Sequence, residues 1–410
     1  MRRFLLFLLT VFLLPLSLVK AQRPDAPPYA LRGSYPVGTR ELTLEGERPL
    51  RVTAWYPAVN PGNVESIVTY PLGIFSVPGR ALRDAEADTS GAPYPLIVFS
   101  HGALLSRVLY AQHLEHLASR GFVVLAADHP GNTILDAINF ERALEAIPAG
   151  YAQRPLDMLR LIDFADTLTG SGGALEGLID TERIALMGHS FGGYTAATAA
   201  GGRLDFDWLR QWCLFGFPRD PHPDVALFSE EAFSFDGSAG SCFLRHEAET
   251  VAAEFGYEAV PEGLWPAVTD ERIDALVTYA PWNAPVFGEH GLADVDVPAL
   301  IVVGSADSVT NPERDAFTYY DRLSSADKTL AEFENANHFI YLDECSPALL
   351  NAGQFFVCSD AVWDMQRAHD ILNHLTTAFL LDVLYSNGAA AEAFAAAEFP
   401  GVSITRSSDE

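Results

Sequence analysis

Apolar and polar positions alternate with more than one period along this chain. Leu50, Val52 and Ala54 alternate with Arg51 and Thr53 up to Trp55, the two-residue period of a strand with one buried face, and residues 40–44 form a strand-like run before it. Residues 57–93 keep no period and read as loop. From residue 96 the pattern changes. Leu96-Ile97-Val98-Phe99, residues 122–126 and residues 184–187 are continuous apolar runs, and helical spacing appears at 108–119, at 155–168 and in the small-residue segment after Phe191. Further runs at 275–279, 299–303 and 329–333 are followed by helical patterns at 311–323 and 362–384. Buried strands alternating with helices predict an α/β fold: a mainly parallel central sheet covered on both faces.

The rhythm breaks between 203 and 270. That segment holds Phe206, Trp208, Trp212, Phe255, Tyr257 and Trp265, and it reads as an insertion after a nucleophile-bearing helix. It forms either a satellite core or a cap that supplies an apolar acyl pocket. The division is therefore residues 22–202 and 271–400 for the two parts of one α/β domain, 203–270 for the insertion or cap, and 401–410 for a frayed tail after an Ala-rich helix at 389–397. Residues 1–21 have the form of a signal peptide. Arg2 and Arg3 precede an apolar stretch from Phe4 to Val19, and Val19-Lys20-Ala21 offers a small-residue cleavage site before Gln22. A retained anchor is the competing reading, but the stretch is short for a span of about 20 residues.

Over 410 residues, 49% are hydrophobic and 20% charged, which is globular composition. Lys and Arg total 26 against 54 Asp and Glu, a formal charge of −28. Such a surface repels phosphate, so nucleic acid is not an expected partner. Export would oxidise the four cysteines, and pairing neighbours, Cys213 with Cys242 and Cys345 with Cys358, closes two local loops. The expectation is a secreted or periplasmic monomer with no membrane span after processing.

The chemistry is carried by Met187-Gly188-His189-Ser190-Phe191-Gly192-Gly193, which follows an apolar strand and opens a helix. In a nucleophile elbow the strand-to-helix turn is so sharp that Gly188 and Gly192 must lack side chains, and Ser190 projects its hydroxyl beyond the sheet. A serine needs a base, and the base needs an orienting acid. His338, just past the strand at 329–333, fits the base. Its rivals His369 and His374 lie within a long helix, and His290 precedes a strand. Asp307, closing Leu300-Ile301-Val302-Val303-Gly304-Ser305-Ala306-Asp307, fits the acid better than Asp294, Asp296 or Asp315, although a helix-capping or loop Asp would look alike in sequence. Oxyanion donors are expected from the backbone N–H groups of Phe191 and of Ala103 in Ser100-His101-Gly102-Ala103. Asp128-His129 tempts a metal assignment but lacks further ligands at metal spacing, so it reads as a structural loop. Neither a metal nor a cofactor is expected.

Taken as a set, Gly33-Ser34-Tyr35-Pro36-Val37-Gly38-Thr39-Arg40, Val52-Thr53-Ala54-Trp55-Tyr56-Pro57-Ala58, Ser100-His101-Gly102, Ala127-Asp128-His129-Pro130-Gly131-Asn132-Thr133 and Gly188-His189-Ser190-Phe191-Gly192-Gly193 resemble the predicted dienelactone-hydrolase group related to platelet-activating-factor acetylhydrolases. The resemblance implies an α/β-hydrolase fold and a serine esterase for short or oxidised acyl chains of lipid type. It implies Ser190, Asp307 and His338 as triad, with Ala103 and Phe191 as oxyanion donors. Three features depart from the pattern. Dienelactone hydrolases proper use a Cys where Ser190 stands. Tyr279-Ala280-Pro281-Trp282-Asn283, where the acetylhydrolases carry their acid, has no carboxylate, and Asp307-Ser308-Val309 looks like the acid loop of cutinase-like polyester hydrolases. A polyester, phthalate or dienelactone-type esterase is therefore the alternative within enzymes. An inactive hydrolase-fold binding protein is the alternative from another class.

Overall fold

A computed structural model of the protein describes residues 25–73, 75–215, 238–345, 350–351, 353 and 357–409. The expected signal peptide and the middle of the insertion lie outside these residues. The strands are β1 (Val37–Leu44), β2 (Leu50–Pro57), β3 (Val68–Leu72), β4 (Phe75–Gly79), β5 (Leu82–Arg83), β6 (Tyr94–Ser100), β7 (Val123–Asp128), β8 (Ile179–His189), β9 (Ile273–Tyr279), β10 (Ala299–Gly304), β11 (Lys328–Phe333) and β12 (Val402–Arg406). One ten-stranded sheet runs in the order β12-β11-β10-β9-β8-β6-β7-β2-β1-β5. The six strands from β11 to β7 are parallel, and β2 and β12 join them antiparallel.

Period-two alternation explains the two-sided core. Leu96, Val98, Ile184, Leu186, Ile301 and Val303 face one buried cluster, while Ile97, Phe99, Ala185, Met187, Leu300 and Val302 face the other. The first cluster includes residues of helices α3 (Ile147–Thr169) and α4 (Phe191–Ala199), with Leu144 of the short α2 (Phe140–Glu145) packed against it; the second includes α1 (Ala111–Ser119) and helix Met365–Tyr385. Chain order departs from strand order around β6, whose neighbours are β7 on one side and β8 on the other. In open α/β sheets the crevice at such a switch point, outside the strands' carboxyl ends, is where ligands bind.

Three sequence expectations change. The stretch read as loop contains the hairpin β3–β4, whose Val68, Tyr70 and Val77 are buried while Pro71 and Pro78 interrupt its pattern. Helix α3 begins at Ile147 rather than at Pro155. Pro155 has no N–H for the carbonyl of Tyr151 four residues back, and the Tyr194 hydroxyl of α4 donates to that carbonyl instead, at 2.9 Å. The tail expected to fray forms β12, which pairs with β11 from Val402 opposite Phe333 to Arg406 opposite Thr329. The pairing covers the sheet edge that β11 would otherwise expose.

The described parts of the insertion, helices Phe206–Phe215, Ser238–Leu244 and Ala248–Glu254, extend the first core cluster instead of forming a satellite. Phe206 stacks on Trp265 with ring centroids 4.7 Å apart, and Leu209, Trp212, Leu244 and Val251 join the same cluster. Cys213 pairs with Cys242 and Cys345 with Cys358, with Cα separations of 5.5 and 4.8 Å. No helix among the described residues is long and apolar enough to cross a membrane.

Candidate active site

Strand β8 delivers Ser190 through a turn that tolerates almost no side chain. A Cβ on Gly188 would lie 2.0 Å from the carbonyl oxygen of Gly192, and one on Gly192 would lie 2.0 Å from that of Ser100. Ser190 itself takes φ 58° and ψ −120°, a strained conformation costing about 1–3 kcal/mol. The loop after β9 holds it there. Ser190 N donates to Tyr279 O at 2.8 Å, and Ser190 O accepts from Trp282 N at 3.1 Å. This loop is the one that lacks a carboxylate, and here it anchors the Ser190 turn. Its strain, with φ 42° at Ala280 and 60° at Asn283, is invisible in the sequence.

Two other strand ends converge on the turn. Beyond β10, Asp307 is almost fully buried. Its Oδ1 accepts from Val309 N (2.8 Å) and Thr310 N (2.7 Å), and its Oδ2 accepts from the Thr310 hydroxyl (2.8 Å). That same oxygen lies 2.7 Å from Nδ1 of His338, which follows β11. The two loops are packed too closely for a side chain between them, since a Cβ on Gly304 would meet Ala336 O at 2.3 Å. His338 N donates to Asn337 Oδ1 (2.6 Å), and Asn337 N donates in turn to Asp360 (2.8 Å).

His189 ties this pair to the serine. Its ring packs on that of His338 at 4.6 Å between centroids, and its Nε2 donates to His338 O at 3.0 Å. Burial holds its ring well below the usual imidazole range, so it is neutral and Nδ1 must accept. The donor is the Tyr110 hydroxyl at 2.8 Å, which itself accepts from Gly102 N at 3.1 Å. Among the described residues no hydrogen bond joins the Ser190 hydroxyl to the His338 ring; His189 brings the two residues together.

The loop after β6 completes the site. Gly102 lies so near the turn that a Cβ there would come within 3.4 Å of Ser190 Cβ. Ala103 N donates to no protein acceptor among the described residues, whereas the next amide, Leu104 N, is committed to Asn132 O at 3.1 Å. Phe191 is the first residue of α4, where N–H groups have no intrahelical partner. Phe191 adjoins Ser190 in the chain, and Ala103 follows Gly102, which packs against Ser190.

The alternatives fall elsewhere. His290 is exposed, His369 bonds Ile340 O, and His374 accepts from Tyr29 N. Asp294 pairs with Arg203 at the surface, Asp296 is exposed, and Asp315 is buried against Arg314 and Ala284 N. Asp128 and His129 diverge. The carboxylate serves Ser106 and Arg107, and the imidazole lies between Ser100 and Asp157. Tyr110 and Arg154 bond to these loops although nothing in their local sequence marks them, whereas Asn132, which accepts from Arg154 and Leu104 N, lies in the motif at 127–133 that carries part of the resemblance.

Comparison with known proteins shows the family of the chain. The model of a family described as the alpha/beta hydrolase family matches residues 97–352. The chain is 24% identical over 183 residues to the platelet-activating factor acetylhydrolase of Gallus gallus, a match covering 35% of this chain and 43% of that one. It is 29% identical over 140 residues to the enzyme of that name from Bos taurus, and 31% over 144 residues to that from Canis lupus familiaris. Those matches cover 26% and 27% of this chain and 32% of each relative, so less than half of any of these three relatives is matched. Among solved structures, a ferulic acid esterase from Streptomyces cinnamoneus superposes with a TM-score of 0.56 at 20% identity, covering 88% of this chain and 93% of that one.

Proposed function

The chain belongs to the alpha/beta hydrolase family, and from that premise we propose that it is a serine carboxylic ester hydrolase working through an acyl-enzyme. The observation that carries this reading is the buried Asp307–His338 pair, set at 2.7 Å beside a serine in a strained elbow. Asp307 accepts from Nδ1–H of His338, which leaves Nε2 unprotonated and able to take a proton. The Ser190 hydroxyl turns towards Nε2 when substrate enters, since catalytic hydrogen bonds are often long or misaligned in the free enzyme. Its oxygen attacks the ester carbonyl as the proton moves to His338. The amides of Ala103 and Phe191 receive the negative charge that develops on the carbonyl oxygen. The imidazolium then protonates the leaving alcohol, and water, deprotonated by the same nitrogen, releases the acid and restores Ser190.

Short-chain esters of lipid type are the proposed substrates, supported by the partial likeness to the acetylhydrolases. A second reading, an aromatic ester of the polyester, phthalate or feruloyl kind, is favoured by Trp282. It is half-buried and stands edge-on to Phe191 at 5.1 Å, one residue from each side of the nucleophile turn. The two disulfides and the form of the first 21 residues support export. The decisive experiment is hydrolysis of p-nitrophenyl acetate together with fluorophosphonate labelling. The protein turns over and is labelled, and Ser190→Ala loses both, with kcat down about 10⁶-fold. Full labelling of Ser190→Ala, or no turnover by the intact protein, rejects the reading.

A further inference from the structure

Beneath the oxyanion loop lies a second buried polar cluster that the reaction as described does not use. Arg154 of α3 is fully buried and no carboxylate pairs with it among the described residues. Burial pulls its guanidinium down to about 9, so it stays cationic at neutral pH. Its Nη1 donates to Asn132 Oδ1 at 2.7 Å. Its Nη2 donates to the Ser100 hydroxyl at 3.1 Å and to the carbonyl of His101. The guanidinium carbon sits 4.4 Å above the ring of Phe191. One cation therefore touches both segments that carry the oxyanion donors.

The rest of the cluster fixes proton positions. The Asp157 carboxylate lies 2.9 Å from His129 Nδ1, which must donate, so His129 Nε2 accepts from the Ser100 hydroxyl at 2.9 Å. Ser100 can then only accept from Arg154, as the distances require. The backbone N–H of His129 donates to His101 Nε2 at 3.1 Å, which leaves His101 Nδ1–H to donate to Gly102 O at 2.7 Å. That carbonyl belongs to the same peptide group as the N–H of Ala103. In a trans peptide the two point in opposite directions, so whatever holds the carbonyl of Gly102 aims the amide of Ala103. Leu105 N adds a second donor to it at 3.2 Å.

We propose that Arg154, with Ser100, His129 and Asp157, is a positioning unit that sets the Gly102–Ala103 peptide through His101 and so pre-orients the oxyanion hole. The inference rests on the assignment of Ala103 and Phe191 as oxyanion donors to a Ser190 nucleophile. It concerns the transition state, in which the oxyanion appears, and not the resting substrate. A displaced donor is expected to lower kcat by about 10²-fold, as misplacement by about 1 Å does.

The test measures kcat and KM on p-nitrophenyl acetate and the affinity for an aryl trifluoromethyl ketone, which binds as a tetrahedral oxyanion adduct. Arg154→Met, Arg154→Lys and Ser100→Ala are compared with the intact chain and with Ser190→Ala. The expected result is a fall in kcat of about 10²-fold for Arg154→Met and about tenfold for Ser100→Ala, with KM within about threefold and ketone affinity falling in proportion to kcat/KM. Should Arg154→Met not fold, Arg154→Lys and Ser100→Ala carry the test, since each removes only part of the network. A rise in KM with kcat intact, unchanged ketone affinity, or wild-type kinetics in the folded variants overturns the inference. Undiminished turnover in Ser190→Ala overturns the underlying assignment instead, whatever the Arg154 variants do.

Discussion

Among the described residues, two histidines carry an aspartate on Nδ1, at nearly the same distance and with different surroundings. His338 has Asp307 at 2.7 Å, and His129 has Asp157 at 2.9 Å. By hydrogen-bond pattern alone, Ser100–His129–Asp157 is the more complete triad, because its serine already bonds the second ring nitrogen. Yet Ser100 and His129 are wholly inaccessible and the Asp157 side chain nearly so. Ser100 ends a regular strand, whereas Ser190 stands at a strained turn with Gly188 and Gly192 two residues away on either side. The carboxylates differ as well. Asp157 is shared among Arg48, Arg160 and His129, whereas Asp307 is held by two backbone amides and one threonine hydroxyl. Backbone strain, not burial, which Ser190 and His338 share, nor the Ser-His-Asp order of bonds, separates the proposed catalytic arm from the structural one.

The sharpest way to break this contrast is to neutralise each aspartate in turn. Asp307→Asn leaves the ring in place with the wrong tautomer and should lower kcat by about 10⁴-fold with little loss of stability. Asp157→Asn acts on the reaction only through the oxyanion loop, so kcat should fall by about 10²-fold or less. Its stability loss should be the larger one, about 1–3 kcal/mol, because a buried carboxylate gives up its charge-assisted bonds to His129 and to the half-buried Arg48 and Arg160. Steady-state kinetics and urea denaturation on the two variants decide it. Equal kinetic damage from both would erase the distinction.

A smaller effect is the dependence of stability on pH that the buried histidines impose. Burial holds His101, His116, His129 and His189 well below the usual imidazole range and takes His113 to about 4. Below about pH 6.5 the unfolded chain binds protons that the folded chain refuses, so stability present above 6.5 is lost as pH falls, by up to about 1.4 kcal/mol per pH unit for each such group. For His113 the loss amounts to about 3 kcal/mol by pH 4. Asp343, pushed well above the carboxylate range by burial, works against this slope by binding its proton in the folded state first. Urea midpoints at pH 7, 6 and 5 should decline, and His129→Gln should remove one histidine's share. A midpoint that rises on acidification would show that the buried carboxylates dominate.

How much of this was legible follows from how local each cause is. The elbow was readable because its glycines and serine are contiguous, and the pairing of Asp307 with His338 was readable because both follow apolar strands. Strand β12 was not: Ser403 and Thr405 give it polar alternation typical of a loose end, and only the open edge of β11 makes it a strand. Pro155 reads as a helix start because the hydroxyl that serves Tyr151 O belongs to Tyr194, 43 residues away. Arg154 was illegible for the same reason. Its partners Asn132, Ser100, the carbonyl of His101 and the ring of Phe191 come from three different segments, and no spacing rule links them.

The finest test asks whether the two arms act independently, and it turns on Tyr110. Its hydroxyl accepts from Gly102 N on the oxyanion loop and donates to His189, whose other nitrogen holds the carbonyl of His338. It is thus a hydrogen-bonded bridge between the structural arm and the proposed catalytic one, fully buried at its ring. Tyr110→Phe leaves Gly102 N and His189 Nδ1 unpaired, which should cost about 1–2 kcal/mol of stability and only a few-fold in kcat, since the backbone bonds on either side persist. Combined with Asp157→Asn in a double-mutant cycle on kcat/KM, it should show a coupling of at least about 0.5 kcal/mol, because both changes loosen Gly102, one at its amide and the other, through His101, at its carbonyl. Paired instead with a distant change such as Arg406→Ala on β12, it should be additive. Additivity in both cycles would mean that the oxyanion loop is held by its own backbone, and that His129 and its aspartate contribute to stability alone.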